Sequence, residues 1–328
     1  MGKQGLTLML TEARPMPKLD ASAQGVYLIT VTPFREDGAL DLESTDRVTD
    51  FYLEKGATGL TVLGVMGEAP KLTAEESRRY VQRVLDRVKD RVPVVVGVSA
   101  PGFAAMGELA RSVMDMGAAG VMVGPAATVK TDDQAYGYYE MTAETLGSAT
   151  PFCVQDHPLA FGVQLPASVL VRIFKAIPTA VMLKHEDWPG PGLAKLAFMR
   201  AASDRGDMRR ISILAGNGGG LFLPEELARG ADGAMTGFAY PEMMADVCKA
   251  HAAGDPERAR DVFDAYLPLA RYEQQAALGL AVRKYLLAKR GAIASAAIRK
   301  PGPKLSAADI ADIDRLIERQ DRRLKEIA

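Results

Sequence analysis

The chain has 328 residues, 48% hydrophobic and 25% charged, with 40 basic against 41 acidic side chains and a formal net charge of -1. That balance describes a globular protein with a sizeable core and lacks the basic excess on which nucleic-acid binding depends. Its two cysteines, Cys153 and Cys248, lie far apart and outside any CxxC or Cys/His cluster, which argues against a disulfide framework or a structural zinc and fits a reducing cytoplasm.

The N-terminal stretch carries an apolar patch of only about five residues before charges and prolines intervene, short of the roughly 7–15 of a signal peptide. Residues 1–23 are therefore read as a loosely held extension. No run approaches the roughly 18 apolar residues of a membrane span. From Gly25 onward, short β-branched or apolar runs alternate with longer stretches of helical periodicity, the pattern of repeated βα units around a parallel sheet. Strands are predicted at GVYLITVT from Gly25, TGLTVLG from Thr58, PVVVGV from Pro93 and AGVMVG from Ala119. Four more follow, at PFCVQ from Pro151, TAVMLK from Thr179, RISILAG from Arg210 and DGAMTG from Asp232. Helices are predicted between them, over Leu42–Gly56, Thr73–Lys89, Phe103–Gly117 and Asp132–Leu146. Thr73 with Glu76 spells a capping box, and Gly56 and Gly117 stand where a helix end calls for a left-handed residue.

Eight such units over residues 24–240 predict an α/β fold of the (β/α)₈ TIM-barrel type, and no GxGxxG fingerprint follows the first strand to support an open nucleotide-binding sheet. Beyond Tyr240 the strand signal stops, so residues 241–328 are predicted to be a helical appendage, with a last helix capped by Ser306. His251, within that appendage, reads as a surface residue.

Barrel active sites lie at the C-terminal ends of the strands, so polar residues there carry the most weight. Lys184 ends the apolar run TAVML, where burial favours the free amine that attacks a carbonyl. The plainer alternative is a rim lysine paired with Glu186 or Asp187. Gly64-Val65-Met66-Gly67-Glu68, directly after the second strand, has two glycines that let backbone amides turn toward a bound carboxylate, although any strand-to-helix turn can use such glycines. Gln155-Asp156-His157-Pro158 follows the fifth strand, and strand alternation puts Gln155 and His157 on the face of Cys153, with Asp156 opposite. His157, His185, Glu186 and Asp187 raise a metal-site reading. If Lys184 points inward, however, His185 points outward, and neither a metal nor any other cofactor is expected.

Taken in order, these motifs resemble those of the dihydrodipicolinate synthase and N-acetylneuraminate lyase family from about Gly25 to the C-terminus. GVMGE is similar to that family's GTTGE-type turn and QDHP stands where its YNxP-type motif sits. MLK matches the strand ending in its Schiff-base lysine, and ILAGN and GADGAMTG resemble its later glycine-rich strand ends. The resemblance implies that Lys184 condenses with pyruvate or a larger 2-keto acid. It further implies that the Val65 and Met66 amides hold the substrate carboxylate, with Gly67, Glu68, Glu186, Gly216 and Met235 around the substrate. A homo-oligomer, dimer or tetramer, is implied by the same likeness. Val65 and Met66 replace the family's two threonines, Gln155 replaces its catalytic tyrosine, and Ala160 stands where an arginine commonly follows. An amide has no accessible titration, so Gln155 can position but not relay a proton, and His157 is expected to take over that relay, with Glu68 and Glu186 as its rivals. The reading is a lyase, aldolase or dehydratase, rather than a true dihydrodipicolinate synthase. The alternative is a barrel that binds a carboxylate without turnover.

Overall fold

The computed structural model describes residues 18–188 and 190–328. Eight parallel strands occur where the eight apolar runs predict them: β1 Gly25–Ile29, β2 Gly59–Val62, β3 Val94–Gly97, β4 Gly120–Val123, β5 Phe152–Asp156, β6 Ala180–His185, β7 Ser212–Ala215 and β8 Gly233–Ala234. They form a closed barrel in sequence order, with β8 returning to β1 through Gly25 opposite Gly233 and Val26 opposite Ala234. Being buried on both faces, these strands read as continuous apolar runs rather than alternating ones.

The helices between them are α1 Leu42–Glu54, α2 Ala74–Val88, α3 Phe103–Asp115, α4 Asp132–Leu146, α5 Pro158–Phe161, α6 Ala167–Ala176, α7 Gly192–Asp204 and α8 Leu223–Leu227. Their ends follow local chemistry. The Thr73–Glu76 capping box forms at the start of α2, and Thr131 with Gln134 makes a second at α4. Gly56 and Gly117 adopt φ of 91° and 103°, conformations that a side chain would resist.

Two hydrophobic layers result. Val154, Leu183 and Ala215 face outward into the large cluster beneath the helices, while Tyr27, Ile29, Val95, Met122, Cys153, Met182, Leu214 and Met235 fill the barrel interior. The register between β5 and β6 decides what sits at the mouth. Phe152 opposes Ala180, but a bulge then brings Cys153 opposite Met182 and Gln155 opposite Lys184, so both polar side chains share the inner face.

Both boundaries expected for the barrel shift. Much of the predicted N-terminal extension lies outside the described residues, but 18–23 are not loose: Leu19 is buried in the barrel interior, its N–H bonds to Ala119 O at 2.8 Å, and Ala23 O accepts from Ser212 Oγ at 2.7 Å. At the other end α9, Pro241–Ala252, packs on β1 and on α8, completing the ring of helices that was predicted to stop at residue 240. The helical appendage proper is α10 Pro256–Glu273, α11 Gly279–Lys289 and α12 Ala307–Glu326, the last opened by a Ser306 capping box. Among the described residues no helix is long and apolar enough to cross a membrane.

Candidate active site

A cavity of about 390 Å³ opens at the C-terminal ends of the strands, and Lys184 lies on its wall. Only 4% of the Lys184 surface is exposed, so its amine meets solvent through the cavity alone. Its Nζ is 3.0 Å from Glu186 Oε2, and Gln155 Nε2 donates to that same oxygen at 2.9 Å. His157 Nδ1 lies 3.5 Å from the other carboxylate oxygen and has no hydrogen-bond partner. The structure thus gathers Lys184, Glu186 and His157 on one wall, with Gln155 hydrogen-bonded to Glu186 but not itself lining the cavity. Burial pushes the His157 imidazole below its usual range; Glu186 pulls it back up and Lys184 adds to the lowering. At neutral pH it is an uncharged ring. Gly216 closes the group from β7, where a β-carbon would run into the side chains of both Glu186 and Lys184.

The turn after β2 divides the residues expected there. Val65–Gly67 forms a single 3₁₀ turn whose first internal bond runs from Gly67 N–H to Gly64 O at 3.0 Å, so the Val65 and Met66 amides precede it. Both residues line the cavity. Gly67 and Glu68, expected beside the substrate, face elsewhere. Gly67 O accepts from Thr32 Oγ1 at 2.6 Å, and Glu68 takes a left-handed backbone with φ of 56° that swings its carboxylate toward the appendage. There it accepts from Lys284 Nζ at 2.5 Å, Lys71 Nζ at 2.9 Å and Arg299 N at 3.1 Å. Glu68 therefore ties the β2 turn to α11 and the segment after it. Met235 sits one layer below the mouth, its sulfur 3.9 Å from Cys153 Sγ, while its neighbour Thr236 lines the cavity.

Residues 22–320 match the Dihydrodipicolinate synthetase family. The chain belongs to that family. It is 29% identical over 305 residues to an L-2-keto-3-deoxyarabonate dehydratase of Azospirillum brasilense, covering 91% of this chain and 94% of the relative. It is 31% identical over 279 residues to a 4-hydroxy-tetrahydrodipicolinate synthase of Kineococcus radiotolerans, covering 84% and 86%. Among solved structures, a dihydrodipicolinate synthase from Rhodopseudomonas palustris superposes with a TM-score of 0.89 at 48% identity, covering 92% of this chain and 99% of the other.

The chain has the family's barrel, with Lys184 at the mouth on β6 and Ala160 on the cavity wall. Four polar cavity residues were not singled out from the sequence: Asn217, Thr236, Gln274 and Arg283. Asn217 directly follows Gly216, and Thr236 follows Met235, so those two were missed by a single position. The other two come from the appendage, where no strand-end logic applies.

The metal-site reading separates along strand alternation. His185 Nε2 lies 2.9 Å from Gly192 O on the outer face, and Asp156 and Asp187 each sit 2.8 Å from Lys195 Nζ, away from Lys184. Among the described residues no three His, Cys, Asp or Glu side chains converge as metal ligands. Behind this outer cluster Glu226 is wholly buried; desolvation pushes its carboxyl up to about 7, against the pull of His185 and of a 3.2 Å hydrogen bond from Asn217 Nδ2.

Proposed function

We propose that the protein is a class I lyase, an aldolase or dehydratase, that condenses Lys184 with pyruvate or a larger 2-keto acid. The observation that carries this reading is the buried Lys184 amine at the cavity wall, 3.0 Å from a carboxylate able to take its proton. An ammonium is not a nucleophile, and a proton passed to Glu186 leaves the free amine. The amine adds to the ketone carbon, the carbinolamine loses water with the proton returned from Glu186, and a cationic imine remains. That imine draws electrons from the adjacent carbon, which can then lose a proton or a carbon fragment to give an enamine.

Glu186 fits the proton relay better than His157, which the sequence reading favoured. Glu186 contacts the reacting nitrogen, whereas His157 lies behind it and meets only the far carboxylate oxygen. Gln155 fixes the near oxygen by its hydrogen bond and so orients the acid. The Val65 and Met66 amides, at the open start of the 3₁₀ turn, suit the substrate carboxylate. The names of the relatives, a keto-acid dehydratase and two synthases, support a keto-acid substrate without choosing one.

The test is borohydride reduction in the presence of a panel of 2-keto acids, read by intact-protein mass. A stable adduct with pyruvate or a longer 2-keto acid is expected. Binding of these acids without any adduct would instead support the carboxylate-binding barrel that does not turn over.

A further inference from the structure

The turn that offers its amides to the cavity is bracketed by two strained residues. Among the described residues only four that are not glycine take a left-handed backbone. Lys89 and Asp90 share the end of α2, while Leu63 and Glu68, with φ of 54° and 56°, flank the segment 64–67. A side chain resists that conformation, which persists where the surroundings over-determine it. For Leu63 the room comes from β3, since a β-carbon at Gly97 would run into Leu63 O. Between the two, neither the Val65 nor the Met66 N–H donates to any described residue, although both residues line the cavity. Two adjacent unspent amides at the start of a turn are the makings of an anion site, provided the turn is held still.

Glu68 is what holds it. Its N–H closes the turn on Val65 O at 3.1 Å, and its buried carboxylate is gripped by Lys284 from α11 and by Lys71. Lys284 is fully buried and donates also to Ala297 O at 2.9 Å, and Lys71 donates also to Arg299 O at 2.9 Å. Each cation is thus anchored twice, once on Glu68 and once on the segment after α11. The appendage does not need this grip to stay attached, because α10 packs along α9 and α12 along α10. The clamp ends on the turn that carries the two unspent amides, and there its rigidity has a use.

We infer that Glu68 is a positioning residue: held by Lys284, it sets the Val65 and Met66 amides for the substrate carboxylate, so that α11 governs how tightly that carboxylate is bound. The inference rests on those two amides as the carboxylate site and goes beyond it by naming what aims them. The test compares L-lactate with L-lactamide, which share a shape, cannot form an imine and differ only in the carboxylate, by calorimetry on the intact protein. The parent is expected to prefer lactate by at least about ten-fold. Glu68→Gln and Lys284→Met should each cut that preference by about five-fold or more, as a misaimed pair of amides would. The two substitutions change the local charge in opposite senses, so a field acting without positioning would raise the preference in Glu68→Gln and lower it in Lys284→Met. Lys195→Met, which loosens the outer face of the barrel, should leave the preference unchanged and so separates aim from general loss of stability. Opposite shifts, no shift in Glu68→Gln, or an equal loss in Lys195→Met would overturn the inference. Should Lys284→Met fail to fold, the sign of the change in Glu68→Gln decides alone. A parent that binds both ligands equally removes the carboxylate site itself and the inference with it; a preference for lactate that ignores the clamp leaves the site and removes only the inference.

Discussion

The two faces of β5 and β6 carry matching sets of side chains with opposite prospects. Toward the barrel axis stand Lys184, Glu186 and His157; toward the helices stand Lys195, joined from α7, with Asp156, Asp187 and His185. Each set pairs an amine with a carboxylate at about hydrogen-bond distance, 3.0 Å inside and 2.8 Å outside, beside an imidazole. Both are buried. What separates them is space, because the inner set lines a cavity of about 390 Å³ while the outer set is packed between sheet and helices and lines none of it. An amine, a carboxylate and an imidazole thus become a candidate site only where a substrate can reach them, and the same trio sealed from solvent is a structural clamp.

Disabling each amine in turn breaks this comparison most severely. Lys184→Arg should abolish borohydride trapping and lower turnover by more than about 10³-fold, since a guanidinium keeps its proton, while the chain stays folded by circular dichroism. Lys195→Met should do the opposite. It leaves Asp156 and Asp187 buried without a cation and is expected to cost about 3–5 kcal/mol in urea denaturation, with trapping on Lys184 retained in the folded fraction. A Lys195 variant as stable as the parent would remove the contrast.

Within the inner set, Glu186→Gln should slow imine formation in single-turnover experiments by roughly 10²-fold, the lower end of what a positioned acid–base group contributes. His157→Asn should change it by less than about ten-fold, because His157 reaches Lys184 only through Glu186. The reverse order would return the proton relay to His157.

The outer face can be sharpened through pH. Glu226 has its carboxyl raised from an ordinary 4.5 to about 7, so the folded chain holds a proton that the unfolded chain has already released over that interval. Its contribution to stability is complete below about pH 4.5 and is lost as pH rises through about 7. Glu226→Gln removes the titration. Relative to the parent, the variant should gain on the order of 3 kcal/mol between pH 4 and pH 8, measured by denaturant midpoint at each pH. A pH-independent difference would show that folding leaves the Glu226 carboxyl unshifted.

Much of this was legible in the sequence, for identifiable reasons. Lys184 inward with His185 outward, and Gln155 and His157 together with Asp156 opposite, follow from the two-residue period of a strand and required nothing beyond a correct strand assignment. That Gln155 sits directly beside Lys184 was not legible, because a bulge in the β5–β6 pairing sets the register. Glu68 was misplaced because its left-handed backbone turns the side chain away from the strand's own parity. Arg283 and Gln274 lie about a hundred residues beyond Lys184 on helices that fold back over the mouth. The sequence held one hint, the charged pair Arg283-Lys284 inside the otherwise apolar Gly279–Leu287 apart from Tyr285, since charges in the middle of a buried helix need partners elsewhere. Lys284 finds Glu68, and Arg283 finds Glu273.

The central claim is that the amine beside open space reacts and its sealed counterpart does not. Peptide mapping after borohydride reduction with pyruvate tests it directly, because cleavage after Glu186 puts the two lysines on different peptides. The account predicts a single modified site at Lys184 and an unmodified Lys195. An adduct on Lys195, or on any lysine other than Lys184, would contradict it.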